Sequence, residues 1–369
     1  MKIIHYLKRS LFALNAIAIL ALFVSAYSYN IDPDITLIPA FFGLGFLPIF
    51  IVNIVFVIFW SISKPKYAAI GLVSIVFTWV APKKHMNFWP SKSTVNEASF
   101  DVMSFNVRLF DLYNWGGNKQ TRNEILAYLQ EKNPPVICFQ EFFNTNDPAY
   151  FNTLDTIIET IDARNVHDDY TAVMHYGKSK FGIATFSKYP ILRKEHIPLD
   201  TAANNVAIFT DILVGTDTIR VFNIHLASIY ISGIEKDLSK HIESNDQDGQ
   251  LKDLNLMVSR LAGGFKRRAN QAEVIRTYID DSPYAVIVCG DLNDTPGSYA
   301  YNLLSDGLND AFCKKGFIGL GSTYIGLIPG LRIDFILVDP RLSIDAFSNE
   351  SVSLSDHRPI IASLSVLEE

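Results

Sequence analysis

The sequence predicts an α/β body with largely antiparallel sheets, carried behind a membrane region. Three observations lead there. The first 81 residues hold three uncharged apolar runs. The rest alternates short β-branched and aromatic runs, bounded by Asn, Asp, Gly and Pro, with segments of helical spacing. Several of the strand-like runs end on Asn, Glu, His or Asp, and residues at strand ends of such a fold converge on one rim.

The runs at 10–29, 36–62 and 67–81 read as three transmembrane helices in a membrane region of residues 1–90. The first two are long enough to cross a hydrocarbon core of about 30 Å, and the third is marginal. The first alone also reads as a signal peptide, with Lys2, Lys8 and Arg9 as a basic head and Ala26 as a small residue at the cut. The runs that follow at once favour an anchor. Lys2, Lys8, Arg9, Lys64 and Lys66 fall on one side, and Lys83, Lys84 and Lys92 on the other. The positive-inside bias then puts the N-terminus in the cytoplasm. Three crossings place the body outside it, as a periplasmic domain on a bacterial inner membrane. Two crossings would place it inside.

Residues 91–98 are polar and unpatterned and form a linker to the body, 99–369. Strands are expected at 100–107, 136–139, 181–186, 206–213, 218–225, 285–288, 333–338 and 360–363, and helices at 123–129 and 269–279. Residues 214–217 (VGTD) join two strands as a hairpin. Residues 228–265 are long, charged and helical in composition. They read as a helical insertion, either a solvated excursion or a lid or partner-binding arm. No internal repeat and no motif for a protein partner stands out.

Residues 1–99 hold 8 Lys/Arg and 3 Asp/Glu, a net +5, and residues 100–369 hold 24 and 35, a net −11. A basic head and an acidic body imply two different jobs. The acidic excess argues against broad nucleic-acid affinity, which rests on cations neutralising phosphates. It leaves room for a nuclease with acidic metal ligands. With 49% hydrophobic and 19% charged residues the chain is not disordered. Three cysteines exclude a disulfide scaffold. Cys138 and Cys289 sit in apolar runs and read as core, and Cys313 as loop.

The strand-end residues are Asn106 (MSFNVR), Glu141 (VICFQE), His225 (VFNIH), Asp291 and Asn293 (VIVCGDLND), Asp334 (RIDFIL), and Asp356 with His357 (LSDHRPI). Each alone has an ordinary reading: a solvated Glu, a structural His, an Asx turn, or an Asp334–Arg332 ion pair. Together they suit a hard divalent cation, Mg²⁺ or Mn²⁺. Glu141 and Asp356 supply carboxylates. Asp291 and Asn293 share one face of an extended segment and can hold an attacking water. His357, beside a carboxylate, can be fixed in one tautomer, and His225 can bind a phosphate oxygen. This is the equipment of a water-activating, metal-assisted phosphoester hydrolase.

In this order the residues resemble the endonuclease/exonuclease/phosphatase superfamily, Mg²⁺-dependent phosphoesterases related to deoxyribonuclease I. The resemblance covers nearly all of 99–369. It implies a four-layer sandwich, two mostly antiparallel sheets packed face to face with helices outside. It implies that Asn106 orients the metal ligand and phosphate, and that Glu141 is the principal metal ligand. His225 would contact the scissile phosphate, and Asp291 and Asn293 would position water and phosphate. Asp334 would pair with the catalytic His357, beside the metal-associated Asp356. The formal base is open between Asp291 and His357. Arg108 stands where AP endonucleases carry an acidic residue, which argues against that role and leaves it as a substrate contact. Thr323 and Tyr324 (GLGSTY) fall where the family places a substrate loop, or form an ordinary turn. The cluster Lys266-Arg267-Arg268 with Gln271 reads as a structural helix face or a phosphate contact. The expected substrate is a lipid head group or small phosphodiester or phosphomonoester. The rivals are an extracytoplasmic nuclease, a non-catalytic binding protein on the same scaffold, and a transport or sensor protein with a soluble appendage.

Overall fold

The structure is a computed structural model that describes residues 2–89, 92–95, 97–145, 147, 152–199, 205–229, 240–242, 244, 246–326 and 330–367, with side chains from residue 9. Much of the expected insertion, including 230–239, lies outside the described residues.

The N-terminal region comprises α1 (Lys2–Ala26), α2 (Ile38–Leu44), α3 (Phe46–Ser63), α4 (Pro65–Phe77) and α5 (Val80–His85). Two of these, α1 and α3, are long and apolar enough to cross a membrane. The expected third span differs. α4 has 13 residues, about 20 Å of helix, and is short of a hydrocarbon core of about 30 Å. Thr78 ends it, its N–H and hydroxyl both donating to the Ser74 carbonyl. The run expected at 36–62 is likewise two helices, parted at Gly45. α1 and α4 lie side by side in the same direction. Phe12 meets Tyr67 at one end (ring centroids 4.8 Å apart), and the Tyr27 hydroxyl donates to the Phe77 carbonyl at the other (2.7 Å).

The body contains β1 (Phe100–Asn106), α6 (Thr121–Lys132), β2 (Val136–Thr145), α7 (Thr153–Ile161), β3 (Asn165–Met174), β4 (Ser179–Ser187), β5 (Ile191–Ile197), β6 (Val206–Val214) and β7 (Asp217–His225). After these come α8 (Gln247–Asp280), β8 (Ala285–Asp291), α9 (Tyr299–Ser305), β9 (Asn309–Asp310), α10 (Ala311–Lys315), β10 (Asp334–Val338), β11 (Leu342–Asn349) and β12 (Ile360–Val366). One sheet has the order β11-β12-β1-β2-β4-β3, the other β5-β6-β7-β8-β10-β9. Both are mixed. β1–β2 and β7–β8 pair parallel, and the other pairings are antiparallel.

Strand alternation sorts the side chains into layers. Val102, Cys138, Val221, Ile287, Cys289, Ile336 and Ile360 face between the sheets and form one core. Met103, Phe105, Ile137 and Phe139 face the other way, onto Ile125 and Leu129 of α6 and Ile157 and Ile161 of α7. Phe209, Phe222 and Ile224 face Ala272, Ile275 and Ile279 of α8 and Leu304 of α9. Two sheets between two layers of helices result.

α8 is a single helix of 34 residues, in which the expected 269–279 helix continues backward into the 228–265 segment. The side chain of Asp246 caps it by accepting from the Gly249 N–H. It runs unbroken through Gly264, where a Cβ would come within 2.8 Å of Ile229. Close packing requires the glycine.

Candidate functional site

The inter-sheet faces change from apolar to polar toward one end. On β1 the inward positions run Val102, Ser104, Asn106. On β7 they run Val221, Asn223, His225, and on β8 Ile287, Cys289, Asp291. β10 begins inward at Asp334, directly opposite Asp291. Just beneath this rim the sheets are pinned by buried amides. Gln140 donates to the Asn223 carboxamide oxygen (2.8 Å), and Asn223 donates to the carbonyls of Phe139 (3.2 Å) and Ala184 (3.1 Å). Gln140 and Asn223 were missed in the sequence. Their inward register with Asn106 and His225 was the available signal.

Glu141 follows Gln140 and would point away from the cleft in a regular strand. β2 is bulged between Phe139 and Phe142, and Glu141 takes φ +48°. A bulge re-aims a side chain, and this one turns Glu141 into the cavity beside His225. Asn293 is also left-handed, at φ +51°, as are Arg108 to Asp111, between +45° and +57°. Such backbone is costly for non-glycine residues and clusters at sites.

The polar groups interlock. Asn106 donates to Asp291 (3.0 Å) and Glu141 (3.3 Å), and its oxygen accepts the Arg108 N–H (3.1 Å). Asp291 accepts the Asn293 N–H (2.7 Å). His225 Nε2 stands 3.8 Å from Asp291 and 4.0 Å from Glu141. That buried nitrogen has no hydrogen-bond partner among the described residues. His357 Nδ1 meets Asp334 at 2.9 Å, and its Nε2 lies 3.7 Å from Asp291. Arg108 pairs with Asp356 (3.2 Å) and lies over the Trp115 ring.

Burial shapes the titration of these groups. It pushes the Asp291 carboxyl up to about 6, opposed by His357 and reinforced by Asp334. It raises Glu141, opposed by His357 and reinforced by Asp356. It holds His225 below the ordinary histidine range, only partly offset by Asp291. For His357 burial acts downward too, but Asp334 and Asp291 overcome it and push the imidazole up to about 10.

A cavity of ≈570 Å³ opens over the site, and Arg108, Glu141, His225, Asn293, Tyr324, Asp356 and His357 line it. Asn106, Asp291 and Asp334 stand behind its wall, at most 2% exposed. Thr323 is turned away. It is 1% exposed, and its hydroxyl accepts the N–H groups of Ile333 and Asp334 (both 3.1 Å), steadying the start of β10. Tyr324 packs edge-on against His357, with centroids 5.4 Å apart. Arg332 pairs with Asp310 (2.7 Å). Arg268, in the basic cluster, is buried, pairs with Asp294 (2.8 Å) and donates to the Ala227 carbonyl (3.0 Å). It braces the segments that carry His225 and Asn293. Its place among Ala269, Ala272 and Ile275 was the sign of a buried arginine. Cys138 and Cys289 are fully buried, as expected.

The donor set fits a hard cation. Glu141 and Asp356 bring two neighbouring carboxylates, with Arg108 on the Asp356 side, and Asn106 brings an amide. Asp291, Asp334 and His357 also bring ligand atoms within 4.8 Å of one another. Within that trio Asp334 and His357 Nδ1 stand at hydrogen-bond distance (2.9 Å), an imidazole–carboxylate pair that engages two of the three groups with each other.

The endonuclease/exonuclease/phosphatase family model matches residues 103–357. The chain belongs to the endonuclease/exonuclease/phosphatase family. Residues 8–85 match a second family model, a domain of unknown function. The curated proteins yield no match. Solved structures of the family share the fold. A Bacteroides thetaiotaomicron mannosyl-6-phosphatase is 19% identical at TM-score 0.53, over 72% of this chain and 99% of that one. A Bacteroides vulgatus endonuclease/exonuclease/phosphatase is 16% identical at 0.54, over 73% and 100%. The catalytic domain of human nocturnin, with bound sulfate, is 17% identical at 0.51, over 78% and 98%.

Proposed function

We propose that this chain is a membrane-anchored, divalent-metal-dependent phosphoesterase that hydrolyses its ester by in-line attack of water. The observation that carries the reading is the convergence of Glu141, His225, Asn293, Asp356 and His357 on one cavity, with Asn106, Asp291 and Asp334 braced behind them. Family membership makes hydrolysis of a phosphate ester the expected chemistry.

Glu141, with Asn106 and Asp356, would hold Mg²⁺ or Mn²⁺. The ion supplies charge to a phosphoryl oxygen and a place for substrate oxygens. The residues do the rest. Asp291, just behind the cavity wall, 3.8 Å from His225 and 3.7 Å from His357, would take the proton of the attacking water at a carboxylate oxygen. His357, kept positive by Asp334, faces the cavity and stabilises charge gathering on the phosphoryl group. His225 offers its free Nε2 to a phosphate oxygen, and Asn293 its carboxamide. Arg108 and Tyr324 border the substrate.

Membrane attachment is supported by inverted burial in the N-terminal bundle. Leu14, Ile17, Leu20, Ile51, Val55, Ile58, Leu72 and Val76 are exposed, while Asn15, Ser25, Asn53 and Ser74 are buried. Asn53 donates across to the Ala18 carbonyl (2.9 Å). Apolar outside and hydrogen-bonded inside suits lipid. The body rests on the segment between α1 and α3, through Ser28 to the Gly297 carbonyl (2.7 Å) and Asp34 to Lys266 (3.1 Å). If α1 and α3 cross the membrane, the segment between them lies opposite the N-terminus, and α4, running back beside α1, returns the chain to that side, where the body rests. Positive-inside bias makes that side extracytoplasmic.

A nuclease is the second reading. Exposed Tyr113 and Trp115 at the cavity could stack on bases, but the body's net −11 weighs against it.

The test is turnover by the purified full-length chain of bis(4-nitrophenyl) phosphate, a phosphomonoester, phospholipids and nucleic acids, in Mg²⁺ and in EDTA. Metal-dependent turnover on one of them is expected. Asp291→Asn and His357→Ala, checked for fold by circular dichroism, should lose about 10²–10⁴-fold in kcat. Full activity in both variants would overturn the assigned roles.

A further inference from the structure

The cavity has two unlike sides. The metal-ligand candidates and both histidines make one. Leu44, Ile229, Leu261 and Phe265 make much of the other. Leu44 is the last residue of α2, so the membrane region itself walls the site. Phe265 of α8 meets Phe41 of α2 edge-on, with centroids 5.2 Å apart. Lys266 pairs with Asp34 one residue on.

The α8 face that carries Leu261 and Phe265 does not stop at the cavity. Leu251, Leu254, Val258, Leu261 and Phe265 follow steps of three and four residues, which is one face of a helix. Leu251, Leu254 and Val258 are 60%, 45% and 51% exposed. An apolar stripe therefore leads from open surface to the catalytic cavity, and at its cavity end Phe265 meets α2. The two arginines at the cavity, Arg108 and Arg268, are paired with Asp356 and Asp294. Such a lining suits one phosphate and a long apolar tail better than a polyanion.

We infer that the site takes a phosphate ester that bears an acyl chain, drawn from the bilayer holding the anchor, with the chain lying along the α8 stripe and between α2 and α8. This rests on the phosphoesterase reading above. A small soluble phosphodiester would use the polar side alone.

The test compares two substrates on the full-length chain in Mg²⁺. One is bis(4-nitrophenyl) phosphate. The other is the phospholipid of vesicles made from equal parts phosphatidic acid, phosphatidylethanolamine and phosphatidylglycerol, with the chain reconstituted in them. The variants are Leu254→Gln and Val258→Gln, both on the exposed stripe and absent from the cavity lining. Each should lower vesicle hydrolysis about tenfold, as the loss of one buried apolar contact does, and leave the soluble substrate unchanged. Equal vesicle rates in wild type and variants would overturn the inference. So would equal losses on both substrates with a lowered melting temperature, which would mean that the stripe is covered by the protein itself. Soluble turnover without vesicle turnover would overturn this inference alone. Turnover of neither substrate would overturn this inference, and turnover of none of the panel above would overturn the phosphoesterase reading beneath it.

Discussion

A buried imidazole held between two carboxylates keeps its proton far past the ordinary histidine range. His357 is 5% exposed and titrates at about 10 instead of 6.5. A raised value in the folded state means that folding is favoured while the group is protonated. The contribution is fully present below pH 6.5 and is lost as pH rises toward 10. In metal-free buffer the melting-temperature gap between wild type and His357→Gln should therefore be widest below pH 6.5 and shrink on the way to pH 10. A gap that does not change with pH would contradict the Asp334–His357 pair. Arg268 makes a second prediction. Removing it strands Asp294 in the interior, and Arg268→Met should cost about 3–5 kcal/mol in stability. Adding Asp294→Leu should recover much of that loss in a denaturant melt. At this scale the sequence was readable wherever a polar residue closed an apolar run, as with Asn106, His225 and Asp291. It was misleading for Thr323, whose hydroxyl serves the backbone of β10. It was silent on the Glu141 bulge, because one extra residue in a strand leaves no mark on an apolar pattern.

Elements were legible where a strand buries both faces. β1, β2, β7 and β8 lie in the middle of their sheets and read as apolar runs. β3 and β5 escaped notice. Both are edge strands, half exposed and charged, with sequences NVHDDYTAVM and ILRKEHI. α8 was read as two pieces, a helix at 269–279 and a charged helical insertion at 228–265, because the charge of the second masked its continuity with the first. The parallel register of β7 on β8 carries His225 to Asp291, and Gly290 permits it. A Cβ there would lie 2.0 Å from the Ile224 carbonyl oxygen. Gly290→Ala should destabilise the body by about 1–3 kcal/mol and pull Asp291 out of line. A melt and a kcat measurement together check both effects. Wild-type activity in this variant would show that the pairing tolerates separation.

The whole molecule joins an apolar helical bundle to an α/β sandwich. The joint is close. A Cβ on Gly43 would lie 2.3 Å from the Ser28 hydroxyl and 2.7 Å from the Gly297 carbonyl. Lys84 donates to Asn302 (2.7 Å), and the Arg332 guanidinium donates to the Lys84 carbonyl (2.6 Å). Gly43→Leu should pry the bundle from the body and speed tryptic cleavage at Lys83 and Lys84. Unchanged cleavage would mean that the joint does not depend on that contact. Apolar runs announced the bundle, but the contact between α2 and the cavity was beyond the sequence, since nothing local marks a long-range packing face.

Metal-dependent phosphoester hydrolysis at this cavity is read out by the rate of bis(4-nitrophenyl) phosphate hydrolysis against Mg²⁺ concentration, for the wild-type chain and Glu141→Gln. The wild-type rate should rise from no activity in EDTA and saturate, and the Glu141→Gln curve should need far more Mg²⁺ or stay flat. Equal rates in EDTA and Mg²⁺, or superimposable curves for the two proteins, would contradict it.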